Sequence, residues 1–319
     1  MFTYNDVIEA YKRIKDRIYM TPLEKSIYLS NENTTYYLKL ECLQPPKSFK
    51  LRGALSKMTT LTSEEKKRGV VAVSSGNHGA AVSYAASLLG IDSVLIFVPK
   101  VTPKSKIDKI KYYGGKVKIV GDNYDDAHRI GMEYVSNNDM TYIDPYYGDS
   151  LVYAGQGTIA LELLEQNMDI DTIMIPIGGG GLITGISIAA KAIKSSIKII
   201  GLQTEACPAM IKSLEDNIFY DEFPSNKSIC EALVGGVGEL AYKMAEDCID
   251  EIIEVKEAFI EQAVSHMIKK EKIVAEPSSC IGIAALLQEP NRIKGRNVAL
   301  VVTGGNIGED LMVDLLSKY

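Results

Sequence analysis

Short runs of β-branched and apolar residues recur along the chain, and between them apolar positions return every three or four residues. The runs predict strands over Tyr36–Leu40, Val70–Ser74, Ser93–Val98, Lys116–Val120, Thr172–Ile177, Lys198–Leu202, Glu251–Val255 and Asn297–Val302. The intervening stretches predict helices, among them His78–Leu89, Pro103–Tyr113, Ala154–Asn167, Leu182–Lys194 and Lys256–Lys270. Near the N-terminus Val7, Tyr11, Ile14 and Ile18 fall on one helical face. Strand–helix alternation implies an α/β fold of open, twisted, mostly parallel sheets flanked by helices. Several runs are apolar throughout, as strands covered on both faces are. Residues 55–150 read as four strand–helix units forming a small inserted α/β domain. Residues 1–54 with 151–319 then make a large domain, and the polar, aromatic stretch Thr141–Ser150 is one crossing between the two.

Composition narrows the partners. With 319 residues, 46% of them hydrophobic and 24% charged, the chain can bury a core without disulfides or structural metals. A net charge of −6 argues against nucleic acid or an anionic membrane surface as a partner. It leaves room for a local anion site built from backbone amides. No apolar run approaches the ~18 residues that span a bilayer, and the N-terminus lacks a signal-peptide core. The five cysteines are odd in number, widely spaced and without a C-x-x-C pair, the usage of a cytoplasmic protein with reduced thiols.

Four segments at or near strand ends carry unusual chemistry, and ligands in open α/β sheets bind beyond such ends. They are Gln44 to Ala54, Ser74 to Gly79, Gly178 to Gly181, and Thr303 to Asn306. Four glycines between a strand and a helix let backbone amides approach a ligand, and the helix dipole adds a positive end. That is a phosphate cradle, with a tight packing turn as the alternative. The run is neither a P-loop nor a G-x-G-x-x-G fingerprint. Lys50, beside Phe49 and Leu51, is a candidate nucleophile if desolvation lowers its pKa; a surface lysine is the alternative. Ser74, Ser75, Asn77 and His78 suit a carboxylate, or a simple helix N-cap. His78 alone would more often be structural.

In this order the segments resemble the pyridoxal-phosphate-dependent threonine dehydratase and serine racemase family, of the tryptophan synthase β-subunit-like superfamily (fold-type II). The family pattern is approximately Q-x-T-G-S-F-K-x-R-G-A, S-S-G-N-H-G, G-G-G-G-L and Ser/Thr-G-G-N. The matching residues are Gln44, Ser48-Phe49-Lys50, Arg52-Gly53-Ala54, Ser74 to Gly79, Gly178 to Leu182, and Thr303 to Asn306. Glu276-Pro277-Ser278 and Pro99, Lys106 and Gly114 add to the likeness, which covers nearly the whole chain.

The resemblance implies an active site between the domains and pyridoxal phosphate as cofactor, held by Lys50 as a Schiff base. Phe49 would cover one face of its ring and Gly236 the other. Gly178, Gly179, Gly180, Gly181 and the amide of Leu182 would take the phosphate, Asn77 the phenolic oxygen and Thr303 the pyridine nitrogen. Ser74, Ser75, Asn77 and His78 would hold the carboxylate of a small amino-acid substrate. Lys50 would then be the base at Cα and Ser75 the residue on the opposite face. The implied reaction is deamination of L-threonine or L-serine by β-elimination. A racemase of serine or another amino acid is one alternative, and a non-catalytic ligand-binding regulator another. Racemisation is expected to be minor, because the Thr303 hydroxyl cannot hold a full charge at the pyridine nitrogen. Two departures stand out. Pro46-Lys47 replaces the usual Thr-Gly, and Ile211 replaces the aspartate that pairs with Glu205 in the racemase cation site, so no metal is expected. The chain is expected to be the short form without a C-terminal sensing domain, associating as a homodimer or homotetramer.

Overall fold

The computed structural model describes residues 2–319. Its strands are β1 (Leu23–Ser26), β2 (Thr35–Leu40), β3 (Val70–Val73), β4 (Val94–Val98), β5 (Lys116–Ile119), β6 (Thr141–Tyr142), β7 (Thr172–Pro176), β8 (Lys198–Thr204), β9 (Glu251–Val255) and β10 (Asn297–Val302). They form a six-stranded sheet in the order β1-β2-β10-β7-β8-β9 and a four-stranded sheet in the order β5-β4-β3-β6. All pairs are parallel except β1 with β2. The strands of the smaller sheet all come from between residues 70 and 142. There the chain makes three strand–helix units and then a two-residue strand with no helix of its own before the helix Ser150–Gln166.

Continuous burial explains the central strands. β3 (Val-Val-Ala-Val) and β7 (Thr-Ile-Met-Ile-Pro) are buried at every position, which demands apolar side chains on both faces. Two apolar clusters sandwich the larger sheet. One gathers the helices Ser150–Gln166 and Gly181–Ile193 around Ile173, Ile175 and Ile199, and the other gathers Pro277–Gln288 around Leu38, Met174 and Leu300. Gly157 and Gly185 let the first two helices touch: a Cβ on Gly157 would lie 2.6 Å from Gly185 O.

β10, last in the chain, inserts between β2 and β7, with Val302 opposite Leu40 and Ala299 opposite Ile173. That placement brings three strand ends, and the segments that follow them, side by side. The expected helix Lys256–Lys270 stops being α-helical at His266, and Met267–Glu271 forms a π turn closed by Lys272 at φ +60°. No helix among the described residues is long and apolar enough to cross a membrane.

Candidate active site

Lys50 opens the helix Lys50–Met58, directly after Phe49, whose backbone N–H donates to Thr303 O at 3.0 Å. This bond ties the segment after β2 to the end of β10. The ammonium is part-buried, lies 5.3 Å from the Phe49 ring centroid, and donates to Pro145 O at 3.0 Å. Burial pulls its pKa down to about 8, against the raising effect of Asp144 and Glu276. At pH 7 about one amine in ten would be free, against a few per ten thousand for an ordinary lysine. A buried base of this kind is a nucleophile toward a carbonyl.

The glycine segment after β7 supplies donors. Among the described residues, the amides of Gly178, Gly179, Gly180, Gly181 and Leu182 have no protein acceptor. Gly180 holds φ +90°, which turns the chain into the helix Gly181–Ile193. The Tyr146 ring lies against Gly179, where a Cβ would come within 2.1 Å of Cδ2. A second set of free amides lies after β3, at Ser75, Asn77, His78 and Gly79. Ser74 Oγ accepts from Gly76 N at 3.2 Å and shapes the turn, while the Ser75 hydroxyl has no protein partner among the described residues.

The candidates are not all used in the same way. Asn77 donates to Glu276 Oε1 at 2.8 Å and accepts from Asn306 Nδ2. Thr303 is buried with its hydroxyl 2.8 Å from Ser279 Oγ. His78 is buried with Nε2 2.8 Å from Ile143 O. Its pKa is lowered to about 4, first by burial and then by Lys50. The ring is therefore neutral and occupied with Ile143, and what His78 offers a carboxylate is its backbone amide. Gly236 is buried, and the atom that a Cβ there would strike is Asp221 O at 1.7 Å. The close approach requiring glycine is to the protein's own chain. Glu205 Oε1 accepts from Glu257 N at 2.9 Å, at the start of the helix Glu257–His266.

Asp144 was not singled out in the sequence. Its carboxylate accepts from the amides of Tyr146 and Tyr147 at 2.8 Å and Gly148 at 3.0 Å, fixing the turn whose Pro145 carbonyl holds Lys50. The signal was an Asp-Pro-Tyr-Tyr-Gly-Asp stretch at a strand end, a turn composition. Since the Asp144 charge raises the Lys50 pKa, removing it lowers that pKa. Asp144→Asn is expected to shift the alkaline-rising limb of Lys50 reactivity to lower pH. Following aldehyde modification of Lys50 against pH tests this; an upward shift or none would contradict the charge argument.

Lys47 adopts φ +62° where the family pattern has glycine. Its carbonyl accepts from Gly305 N at 2.9 Å, so the strained residue is locked to the segment after β10. Left-handed backbone at a non-glycine residue costs roughly 1 kcal/mol, more for a β-branched one. Lys47→Gly is expected to hold or slightly raise the melting temperature, and Lys47→Val to lower it by several degrees.

These residues fit pyridoxal phosphate. The part-buried amine suits its aldehyde, and five acceptor-free amides at a helix start suit its phosphate dianion. The buried Ser48 hydroxyl, beside Phe49, also has no partner.

Comparison with known proteins agrees. The model of a family described as pyridoxal-phosphate dependent enzyme matches residues 14–304. An L-threonine ammonia-lyase of Thermotoga maritima is 36% identical over 320 residues, covering 100% of this chain and 79% of that protein. A solved maize serine racemase superposes with a TM-score of 0.91 at 31% identity, covering 99% of this chain and 97% of the other. The processed form of threonine deaminase isoform 2 from Solanum lycopersicum gives 0.92 at 30% identity, covering 98% and 92%.

Proposed function

Because the chain belongs to the pyridoxal-phosphate dependent enzyme family, we propose that it deaminates L-threonine and L-serine by β-elimination, releasing 2-oxobutanoate or pyruvate and ammonia. The observation that carries this is the position of the Lys50 amine at a junction of strand ends where two separate arrays of free backbone amides also lie. The T. maritima relative, named for the same reaction, supports it.

Pyridoxal phosphate, when bound, supplies the aldehyde and the electron-accepting ring that this chemistry needs. The amides of Gly178 to Leu182, free of protein acceptors among the described residues, would hold its phosphate, and Phe49 would cover one ring face. Asn77 would meet its phenolic oxygen, Thr303 would meet its pyridine nitrogen, and Gly236 would lie toward the second face. The amides of Ser75, Asn77 and His78 orient the substrate carboxylate, with the Ser74 and Ser75 hydroxyls beside them. Lys50, uncharged once its amine is free, takes the proton from Cα. A hydroxyl at Thr303, unlike a carboxylate, would not hold a full positive charge at the ring nitrogen, which would favour loss of the β-hydroxyl over reprotonation at Cα.

Purified holoenzyme given L-threonine should form 2-oxobutanoate, with D-serine from L-serine only a minor product. Ser75→Ala should suppress racemisation more than deamination. If D-serine accumulates faster than pyruvate, the racemase reading replaces this one; no oxo acid from either substrate would end the deaminase reading.

Residues 1–54 with 151–319 are proposed as the large domain, and 55–150 as the inserted one. The sheet membership of the strands supports this. A cytoplasmic location is supported by five buried free cysteines. Association as a homodimer or homotetramer is supported by exposed apolar side chains on one N-terminal segment, Tyr19, Met20, Ile27 and Tyr28.

A further inference from the structure

A hydrogen-bond chain reaches Asn77 from the helix Lys104–Tyr112, and its direction is fixed at the outer end. Lys109, half-buried on that helix, donates from Nζ to Asn306 Oδ1. An ammonium has three donors and no acceptor, so the Asn306 atom facing it must be oxygen. The Asn306 nitrogen is then turned the other way, and its two hydrogens go to Asn77 Oδ1 and to Pro46 O at 3.2 Å. Asn77 thus meets Asn306 with its oxygen and donates from Nδ2 to Glu276 Oε1 at 2.8 Å. One hydrogen of the Asn77 amide keeps no protein acceptor among the described residues. Reversing either amide would set donor against donor at Lys109 or between the two asparagines. It would also turn an amide oxygen toward Pro46 O or Glu276 Oε1, which support the same orientations.

Besides its bond to Asn306, Lys109 is held by burial below its ordinary pKa, against the raising effect of the Glu276 charge. Its one hydrogen-bond partner among the described residues is this amide oxygen, and it forms no ion pair there. Docking of the helix has other sources: Tyr113 OH donates to Pro45 O at 2.8 Å, and Lys106 pairs with Glu231 at 2.5 Å. Neither touches the asparagine chain.

We propose that Lys109 is a positioning residue that sets the amide orientation of Asn306, and through it of Asn77, so that Asn77 presents an N–H to the cofactor's phenolic oxygen. This deepens the proposed function and rests on its reading of Asn77. Contact between the helix Lys104–Tyr112 and the segment after β10 thereby determines the hydrogen bonding around the ring.

The test compares holoenzymes carrying Lys109→Met, Lys109→Arg and Lys106→Met. The readouts are the visible absorption maximum of the bound cofactor, its pH dependence, kcat and KM for L-threonine, and the melting temperature. Lys109→Met should move the visible band and lower kcat about tenfold with KM changed much less, the pattern of misoriented groups. Lys109→Arg should restore both, and Lys106→Met should keep the wild-type band. A wild-type band and kcat in Lys109→Met would overturn the proposal, as would the same shift in Lys106→Met, which would reduce Lys109 to a docking contact. If Lys109→Met does not fold, Lys109→Gln carries the same comparison, since its amide no longer forces oxygen toward itself. Asn77→Ala is measured alongside, and a wild-type band there would refute the reading of Asn77 itself, which separates the two failures.

Discussion

Replacing Lys50 with alanine is expected to cut 2-oxobutanoate release from L-threonine by roughly 10²–10⁴-fold or more, the share of a positioned general base. Burial holds the Lys50 pKa near 8, so the group is both reactive as a nucleophile and usable as a base near neutral pH. Arginine cannot substitute, because a guanidinium does not lose its proton in proteins; Lys50→Arg should fall as far. The variant should also lose the visible absorption of a lysine–aldehyde conjugate, while the free amides of Gly178 to Leu182 retain some affinity for the phosphate. Folding should survive, since removing Nζ leaves one carbonyl, Pro145 O, without its donor. The checks are steady-state turnover at saturating cofactor, the spectrum and the melting curve. Turnover within tenfold of wild type would take Lys50 out of the mechanism.

Arg52→Met is expected to destabilise the protein by about 3–5 kcal/mol, the usual penalty for leaving buried charges unpaired. Arg52 is fully buried, two residues beyond Lys50. Its guanidinium bonds Glu41 from Nε at 2.7 Å, Glu162 from Nη2 at 2.7 Å and Thr158 Oγ1 from Nη1 at 3.1 Å. Lys39, also buried, contacts the same Glu162 at 3.0 Å and Thr21 O at 2.7 Å. Two cations and two carboxylates thus neutralise one another in the protein interior. Without Arg52, Lys39 faces two carboxylates, and one of them must remain uncompensated or take up a proton. Burial pushes the Glu41 pKa up, yet Arg52 holds it below its ordinary value. A carboxyl lowered in the folded state contributes stability above its unfolded pKa, and the contribution is lost as pH falls through the folded value. The variant should therefore lose most at neutral pH and least in acid. Denaturant unfolding at pH 7 and below pH 4 measures both; an equal loss at the two would contradict the electrostatic account. Turnover should drop as well, because the network holds the helix that begins at Lys50 against the helix Ser150–Gln166.

By itself the sequence determined the central strands, the helices over them and the four polar or glycine-rich segments at or near strand ends. Strands buried on both faces, such as β3 and β7, are written as continuous apolar runs, and a glycine run at a strand end is legible because no other residue lets backbone come so close. β1, Leu-Glu-Lys-Ser, carried no such mark, being an edge strand with mostly uncovered side chains. The helix over Lys256–Lys270 looked continuous because its apolar spacing persists past the point where the backbone loosens into a π turn. Periodicity reports only which face of a segment turns inward. What meets that face depends on strand order, and β10, last in the chain, slips between β2 and β7. Only that arrangement ties Lys50 to the end of β10. Only tertiary packing brings Lys39, Glu41 and Arg52 against Glu162, more than a hundred residues away, or hands Lys109 the amide of Asn306. In the sequence Arg52 is marked only by its motif and the others are ordinary polar residues, because the free energy of a buried charge is set by its partner and its loss of water, neither of which is local to the chain.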